Sequence, residues 1–147
     1  MRTVKLNVKR FDPELQESRY QEYDLEIQDH ETVLDALIQV REYIDETLGM
    51  RCSCRSAICG SCAMRVNGHA TLACKSKVVE VSSEGETITI EPLSNTKPVK
   101  DLVADMNIFW GKMRQIEPYL KAHQPAPEKE YIAPQSTMQN LVGTMNC

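Results

Sequence analysis

Five of the chain's cysteines crowd between positions 52 and 74, and their spacing is the first thing that could do chemistry. Cys54, Cys59 and Cys62 stand as C-x4-C-x2-C, and Cys74 follows after eleven further residues. That is the plant-type spacing for a 2Fe–2S cluster. Three thiolates must converge on a small inorganic core from one loop, and each sulfur must be deprotonated to bind. Small residues let a backbone wrap such a core, and Ser56, Ala57, Gly60 and Ser61 are all small. A fourth ligand from a distant segment closes the site. Cys52 is the spare, because six residues rather than four separate it from Cys59.

Other cysteine chemistries compete with this reading. A disulfide framework needs an oxidising compartment, and the stretch from Met1 to Lys9 has no apolar signal region. Zinc sites commonly pair two C-x2-C knuckles, whereas only Cys59 and Cys62 form one here. A group of unpaired structural cysteines is the blandest alternative. His69 reads as an exposed turn residue rather than a ligand, since the cysteine set is complete without it.

The composition is that of an ordinary globular chain, with 41% hydrophobic and 26% charged residues. A net charge of -4 argues against a general nucleic-acid binder. No apolar run approaches the roughly 18 residues needed to span a bilayer. The distribution of charge says more. Residues from Asp12 to Glu46 are strongly acidic, whereas Thr47 to Val79 contains no acid but holds Arg51, Arg55, Arg65, Lys75 and Lys77. Cations beside an anionic cluster favour its reduced form. Arg55, directly after a ligand, is expected to lie in a partly desolvated loop and to raise the potential. The competing reading is a solvated basic surface.

These residues need a scaffold. Val4, Leu6 and Val8 alternate with polar neighbours between Thr3 and Lys9, as in a half-buried strand. A turn is expected at Phe11-Asp12-Pro13, followed by a long connection to a second strand through Tyr23, Leu25 and Ile27. Thr32 and Asp35 form a capping-box-like helix start. Val33, Leu37, Val40 and Ile44 keep helical spacing, with Gly49 as a stop. Met64 and Val66 lead into Asn67-Gly68, a hairpin signal, and the returning strand carries Leu72 and Cys74. Thr87 to Pro92 gives a last short strand. The expected fold class is α+β: a β-grasp 2Fe–2S ferredoxin-type domain over residues 1–97. Beyond Pro98, a helical face of Leu102, Met106, Phe109, Met113 and Leu120 is expected, with an extended connector from Pro118 to Pro134. Ser136 would cap a last helix bearing Met138, Leu141, Val142 and Met145.

The run Ser53-Cys54-Arg55-Ser56-Ala57-Ile58-Cys59-Gly60-Ser61-Cys62, continued through Asn67-Gly68 and Leu72-Ala73-Cys74-Lys75, resembles the iron–sulfur subunit of succinate dehydrogenase and fumarate reductase. The likeness continues through Lys100-Asp101-Leu102-Val103-Ala104-Asp105-Met106, Pro118-Tyr119-Leu120 and Pro134-Gln135-Ser136-Thr137-Met138. It implies a 2Fe–2S cluster on Cys54, Cys59, Cys62 and Cys74, and an incomplete α-helical ferredoxin-type domain over residues 98–147. In that family the helical domain carries 4Fe–4S and 3Fe–4S clusters, and Cys147 resembles the first ligand of the 4Fe–4S run. One 2Fe–2S cluster and no larger one is therefore expected on this chain. The resemblance assigns Trp110 no quinone role. It implies an oxidoreductase subunit relaying single electrons from an FAD-containing flavoprotein subunit toward quinone at a membrane anchor. It also implies a peripheral place on the cytoplasmic membrane face, or on the mitochondrial matrix face in a eukaryote. No catalytic side chain is expected. A free-standing 2Fe–2S ferredoxin serving another oxidoreductase is the alternative.

Overall fold

In the computed structural model, residues 2–83, 85–119, 125, 128–129 and 132–145 are described. The chain divides into two units, Met1–Trp110 and Gly111–Cys147. The first is built on a five-stranded mixed sheet in the order β2-β1-β5-β3-β4. β1 (Arg2–Asp12) and β2 (Glu17–Ile27) are antiparallel, with Leu6 opposite Tyr23 and Asp12 opposite Glu17. Their connection is only Pro13–Gln16, so the long link expected from the sequence is a tight turn. It is tight because Asp12 Oδ1 accepts the Glu14 N–H at 2.8 Å, and Gln16 takes a left-handed φ of 55°.

The period of two that puts Val4, Leu6 and Val8 inside continues to Arg10, which is also buried. β5 (Thr87–Glu91) enters the middle of the sheet parallel to β1, with Ile88 beside Leu6 and Ile90 beside Val8. Parallel strands are covered on their faces. Here α1 (Val33–Tyr43) supplies cover with Val33, Leu34, Ala36, Leu37, Ile38 and Val40 in the same core cluster as the strands. The capping box is present: Thr32 Oγ1 accepts from the Asp35 N–H, and Asp35 accepts from the Thr32 N–H. Gly49 does not stop the helix, which ends at Tyr43 with Ile44 as its C-cap.

β3 (Ala63–Val66) and β4 (His69–Leu72) form the expected hairpin around Asn67 and Gly68, whose φ values of 48° and 81° suit a two-residue turn. Cys74 lies beyond the returning strand rather than on it. A short helix α2 (Val78–Val81) follows, which the sequence reading did not place. Nor is β5 the last strand. β6 (Pro98–Lys100) and β7 (Val103–Ala104) form a ribbon within the first unit, burying Leu102 and Asp101. α3 (Asn107–Ile116) starts after Leu102 and Met106, so those two are not on its face. Phe109 is exposed and Met113 half-buried. Leu120 and most of the Pro118–Pro134 interval lie outside the described residues. α4 (Gln135–Met145) begins one residue before Ser136, with the Thr137 N–H donating to Pro134.

Candidate functional site

The loop from Arg55 to Gly60 carries three left-handed residues, Arg55, Ala57 and Gly60, with φ of 54°, 57° and 70°. Such a conformation costs of order 1–3 kcal/mol at each non-glycine residue and persists only where its surroundings demand it. What it achieves is direction. The N–H groups of Ser56, Ile58 and Cys59 all point at Cys54 Sγ, at 3.4, 3.4 and 3.3 Å. The Ala57 N–H points across the loop at Cys74 Sγ, at 3.3 Å. Successive inward N–H groups form a concavity for negative charge. Here the acceptors are the cysteine sulfurs.

The thiols themselves stand in two pairs. The Cys59 thiol interacts with that of Cys54, and the Cys62 thiol with that of Cys74. All four, and Cys52, are free of disulfide bonds. Among the described residues no group of three or more His, Cys, Asp or Glu side chains is arranged to hold a metal ion by itself. A binuclear core distributes its ligands two to each iron. N–H groups of one loop reach the sulfurs of both Cys54 and Cys74, one from the near segment and one from the far, and these residues fit such a core. Cys59 is exposed, and its thiol is lowered to about 6, first by the Ser61 hydroxyl at 3.1 Å and then by the backbone of Cys54. Burial pushes the Cys62 thiol up.

Three pieces of scaffold hold these sulfurs. The Ala73 N–H donates to the Cys62 carbonyl at 3.1 Å, tying the segment of the fourth cysteine to the end of the loop. The first free N–H groups of α1 do the rest: Val33 donates to Ser76 and Leu34 to Ala73, at 2.8 and 3.1 Å. Cys74 is thus flanked by carbonyls fixed to a helix N-terminus. Cys52 packs beside Met50 against the core, and among the described residues no N–H is directed at its sulfur.

The basic residues are placed less uniformly than their sequence suggests. Arg65 pairs with Glu91 at 3.4 Å, Lys77 with Glu80 at 3.6 Å, and Arg51 donates to the Ala104 carbonyl at 3.0 Å. Arg55 is exposed and makes no hydrogen bond or ion pair among the described residues, so the expected desolvation of its charge is not found. His69 is exposed beside the turn. Cys147 lies outside the described residues.

A buried polar group that sequence reasoning missed lies behind the loop. Arg10 donates to Asp101 Oδ1 at 2.8 Å, to Asp45 Oδ2 at 2.6 Å and to the Tyr23 hydroxyl at 2.7 Å. The Thr47 hydroxyl foremost, then Tyr23 and Arg10, hold the Asp45 carboxyl well below the usual carboxylate range. Burial first, then donation to Asp45, pushes Tyr23 up to about 12. The available signal was register: Arg10 continues the inward positions of β1.

The chain is similar to known proteins over most of its length. A family model described as a 2Fe-2S iron-sulfur cluster binding domain matches residues 5–111. The mitochondrial succinate dehydrogenase [ubiquinone] iron-sulfur subunit of Dictyostelium discoideum is 36% identical over 149 residues, covering 98% of this chain and 52% of that protein. The chain therefore spans about half the length of that curated relative. A chain of the Mycobacterium smegmatis Sdh1 complex in the apo form superposes with a TM-score of 0.85 at 28% identity, over 99% of this chain and 59% of that one. A hypothetical protein from Helicobacter pylori shares the fold at a TM-score of 0.56 and 23% identity, over 82% of this chain and 23% of that one.

Proposed function

The chain belongs to the family of 2Fe–2S iron–sulfur cluster binding domains, and we propose that it is the electron-carrying part of a succinate dehydrogenase or fumarate reductase. In this reading Cys54, Cys59, Cys62 and Cys74 hold one 2Fe–2S cluster. The observation that carries it is the loop whose N–H groups at Ser56, Ile58 and Cys59 aim at Cys54 Sγ and whose Ala57 N–H aims at Cys74 Sγ. When bound, a 2Fe–2S cluster takes up and gives back a single electron.

The chain's own residues make that exchange practicable. Ionised thiols hold the metal, and Cys59, lowered to about 6, is poised to ionise at neutral pH. Backbone donors to Cys54 and Cys74 and the Ser61 hydroxyl offset the negative charge on sulfur, which raises the reduction potential. Exposed Ile58, at 84% accessibility, and Cys59 bring the rim of the site to the surface, where a redox partner can approach. The partners we assign are an FAD-containing flavoprotein subunit as donor and, through further clusters and a membrane-anchor subunit, quinone as acceptor. Likeness to the Dictyostelium subunit supports this assignment. Cys147 would begin the ligand run of a 4Fe–4S cluster. No helix among the described residues is long and apolar enough to cross a membrane; the place we assign is peripheral, at the membrane face, through partner subunits.

Anaerobic reconstitution with iron and sulfide counting, visible absorption and EPR tests the reading. About two irons per chain and one reduced-state signal are expected from a single binuclear cluster. Cys52→Ser should keep both signals, and Cys59→Ser should lose or strongly alter them. Loss on Cys52→Ser with retention on Cys54→Ser would reverse the ligand assignment. Co-purification with a flavoprotein separates a respiratory subunit from a freely diffusing carrier.

A further inference from the structure

The arm that enters the cluster loop is Asp45 to Cys54, and it carries no regular structure after Gly49. Its course is nevertheless fixed by residues far away in sequence. Gly49 donates its N–H to Asp101 Oδ2 at 2.7 Å, and its carbonyl accepts the Leu102 N–H at 3.1 Å. Arg51 donates to the Ala104 carbonyl at 3.0 Å. Asp101 and Ala104 belong to the ribbon β6–β7, well beyond the last cluster cysteine. The carboxylate of Asp101 is 2% exposed, and its other oxygen accepts from Arg10, which is 6% exposed and also binds Asp45. Both ends of the arm's first half are therefore held by one buried guanidinium and one buried carboxylate.

Gly49 shows how close the approach is. A Cβ there would meet Asp101 Oδ2 at 3.2 Å and Lys100 Cγ at 3.2 Å. Asp101 itself has a φ of 47°, a strained value for a residue with a side chain. Strain, close approach and buried charge coincide at one point. A buried ion pair contributes little to stability by itself, and in some proteins such a pair serves to fix one arrangement.

We infer that Arg10, Asp101 and Gly49 form a clamp that positions the incoming arm of the cluster loop, and with it Cys54, so that the ribbon β6–β7 is part of the cluster site. These are positioning residues, acting on the ligand through the backbone between Gly49 and Cys54. The inference rests on Cys54 being a ligand. Groups that orient a metal's ligands typically matter by about ten- to a hundredfold in metal affinity.

The test uses the full chain in three variants: Asp101→Asn, Gly49→Ala, and Val4→Ala as a core change at the far end of β1. In the loaded protein, the rate of iron transfer to a chelator should rise about ten- to a hundredfold in the first two variants and change little in the third. The reduced-state EPR line shape should broaden in the same two. In the unloaded protein, amide exchange across residues 47–54 should quicken for Asp101→Asn beyond what Val4→Ala produces at equal loss of thermal stability. Unchanged iron release and line shape in folded, loaded Asp101→Asn and Gly49→Ala would overturn the clamp, as would Val4→Ala matching them. A parent chain that loads no iron sinks the ligand assignment instead, and the exchange measurement then decides the clamp alone.

Discussion

Ser61 touches a cluster-loop sulfur, whereas Arg55, next to a proposed ligand, is exposed and makes no hydrogen bond or ion pair among the described residues. That contrast ranks their influence. A full charge in water-exposed surroundings is screened within about 8 Å at physiological ionic strength. A hydroxyl at 3.1 Å from Cys59 Sγ acts inside the site, and since Cys59 favours the thiolate the hydroxyl donates. Ser61→Ala should lower the reduction potential by tens of millivolts, on the scale of about 59 mV per 1.4 kcal/mol for one electron. Arg55→Gln should move it less, and less again in high salt. Protein-film voltammetry of both variants checks the order; an Arg55 effect larger than that of Ser61 would refute it. In the unloaded chain, Ser61→Ala should also raise the pH midpoint for alkylation of Cys59 from about 6. The cysteine spacing was legible because ligand number and reach constrain it locally. Ser61's role was not, because only the folded loop shows which small residue meets a sulfur.

At the level of elements, local chemistry was readable and distant chemistry was not. Alternation gave β1 and the inner end of β2, Thr32 and Asp35 gave the start of α1, and Asn67-Gly68 gave the β3–β4 turn. Each of these is decided by neighbours in sequence. Gly49 looked like a helix stop because glycine commonly is one, yet its lack of a side chain serves Asp101, fifty-two residues on. Nothing local in sequence links Arg10 to Asp45, although Arg10 sits in the inward register of β1. Loss of the cap in Thr32→Ala should cost about 1 kcal/mol by denaturant unfolding. Its effect should extend to Cys74, since the N–H groups of Val33 and Leu34 hold the carbonyls of Ser76 and Ala73. The pH dependence follows from the same network. Asp45 is depressed in the folded state, so its contribution is present above the ordinary carboxylate pKa of about 3.9 and is lost as pH falls below it. Tyr23 is raised, so its contribution is complete below about pH 10 and is lost as pH rises through about 12. Tyr23→Phe should flatten the alkaline limb of the stability profile and leave the Thr32 effect unchanged.

On the scale of the whole molecule, the question is how much chain the cluster domain needs. A change of character after Pro98 placed its expected end at residue 97, which is where a minimal β-grasp sheet is complete. The first unit instead runs to Trp110, and it encloses Asp101, Leu102 and Ala104 at 2%, 5% and 8% exposure. A chain ended after Trp110 keeps the bonds of Gly49 to Asp101 and Leu102 and of Arg51 to Ala104, so it should fold and load about two irons as one binuclear cluster. A chain ended after Lys97 keeps all five strands of the sheet and every cluster cysteine, but it strips Arg10 of Asp101. Breaking a buried pair outright costs about 3–5 kcal/mol, and the loss here is smaller than that because Arg10 keeps Asp45 at 2.6 Å. The shorter chain should therefore unfold at lower denaturant concentration and release iron faster, although it keeps all four proposed ligands of the 2Fe–2S cluster. Removing the rest of the pair, by Arg10→Met together with Asp45→Asn in the shorter chain, should recover part of that stability because no under-compensated charge is then left. It should not recover iron retention, because Gly49 and Arg51 still lack the ribbon they bind. Denaturant titration and chelator kinetics on the three chains separate the two effects; equal iron retention in all of them would show that the sheet alone holds the site.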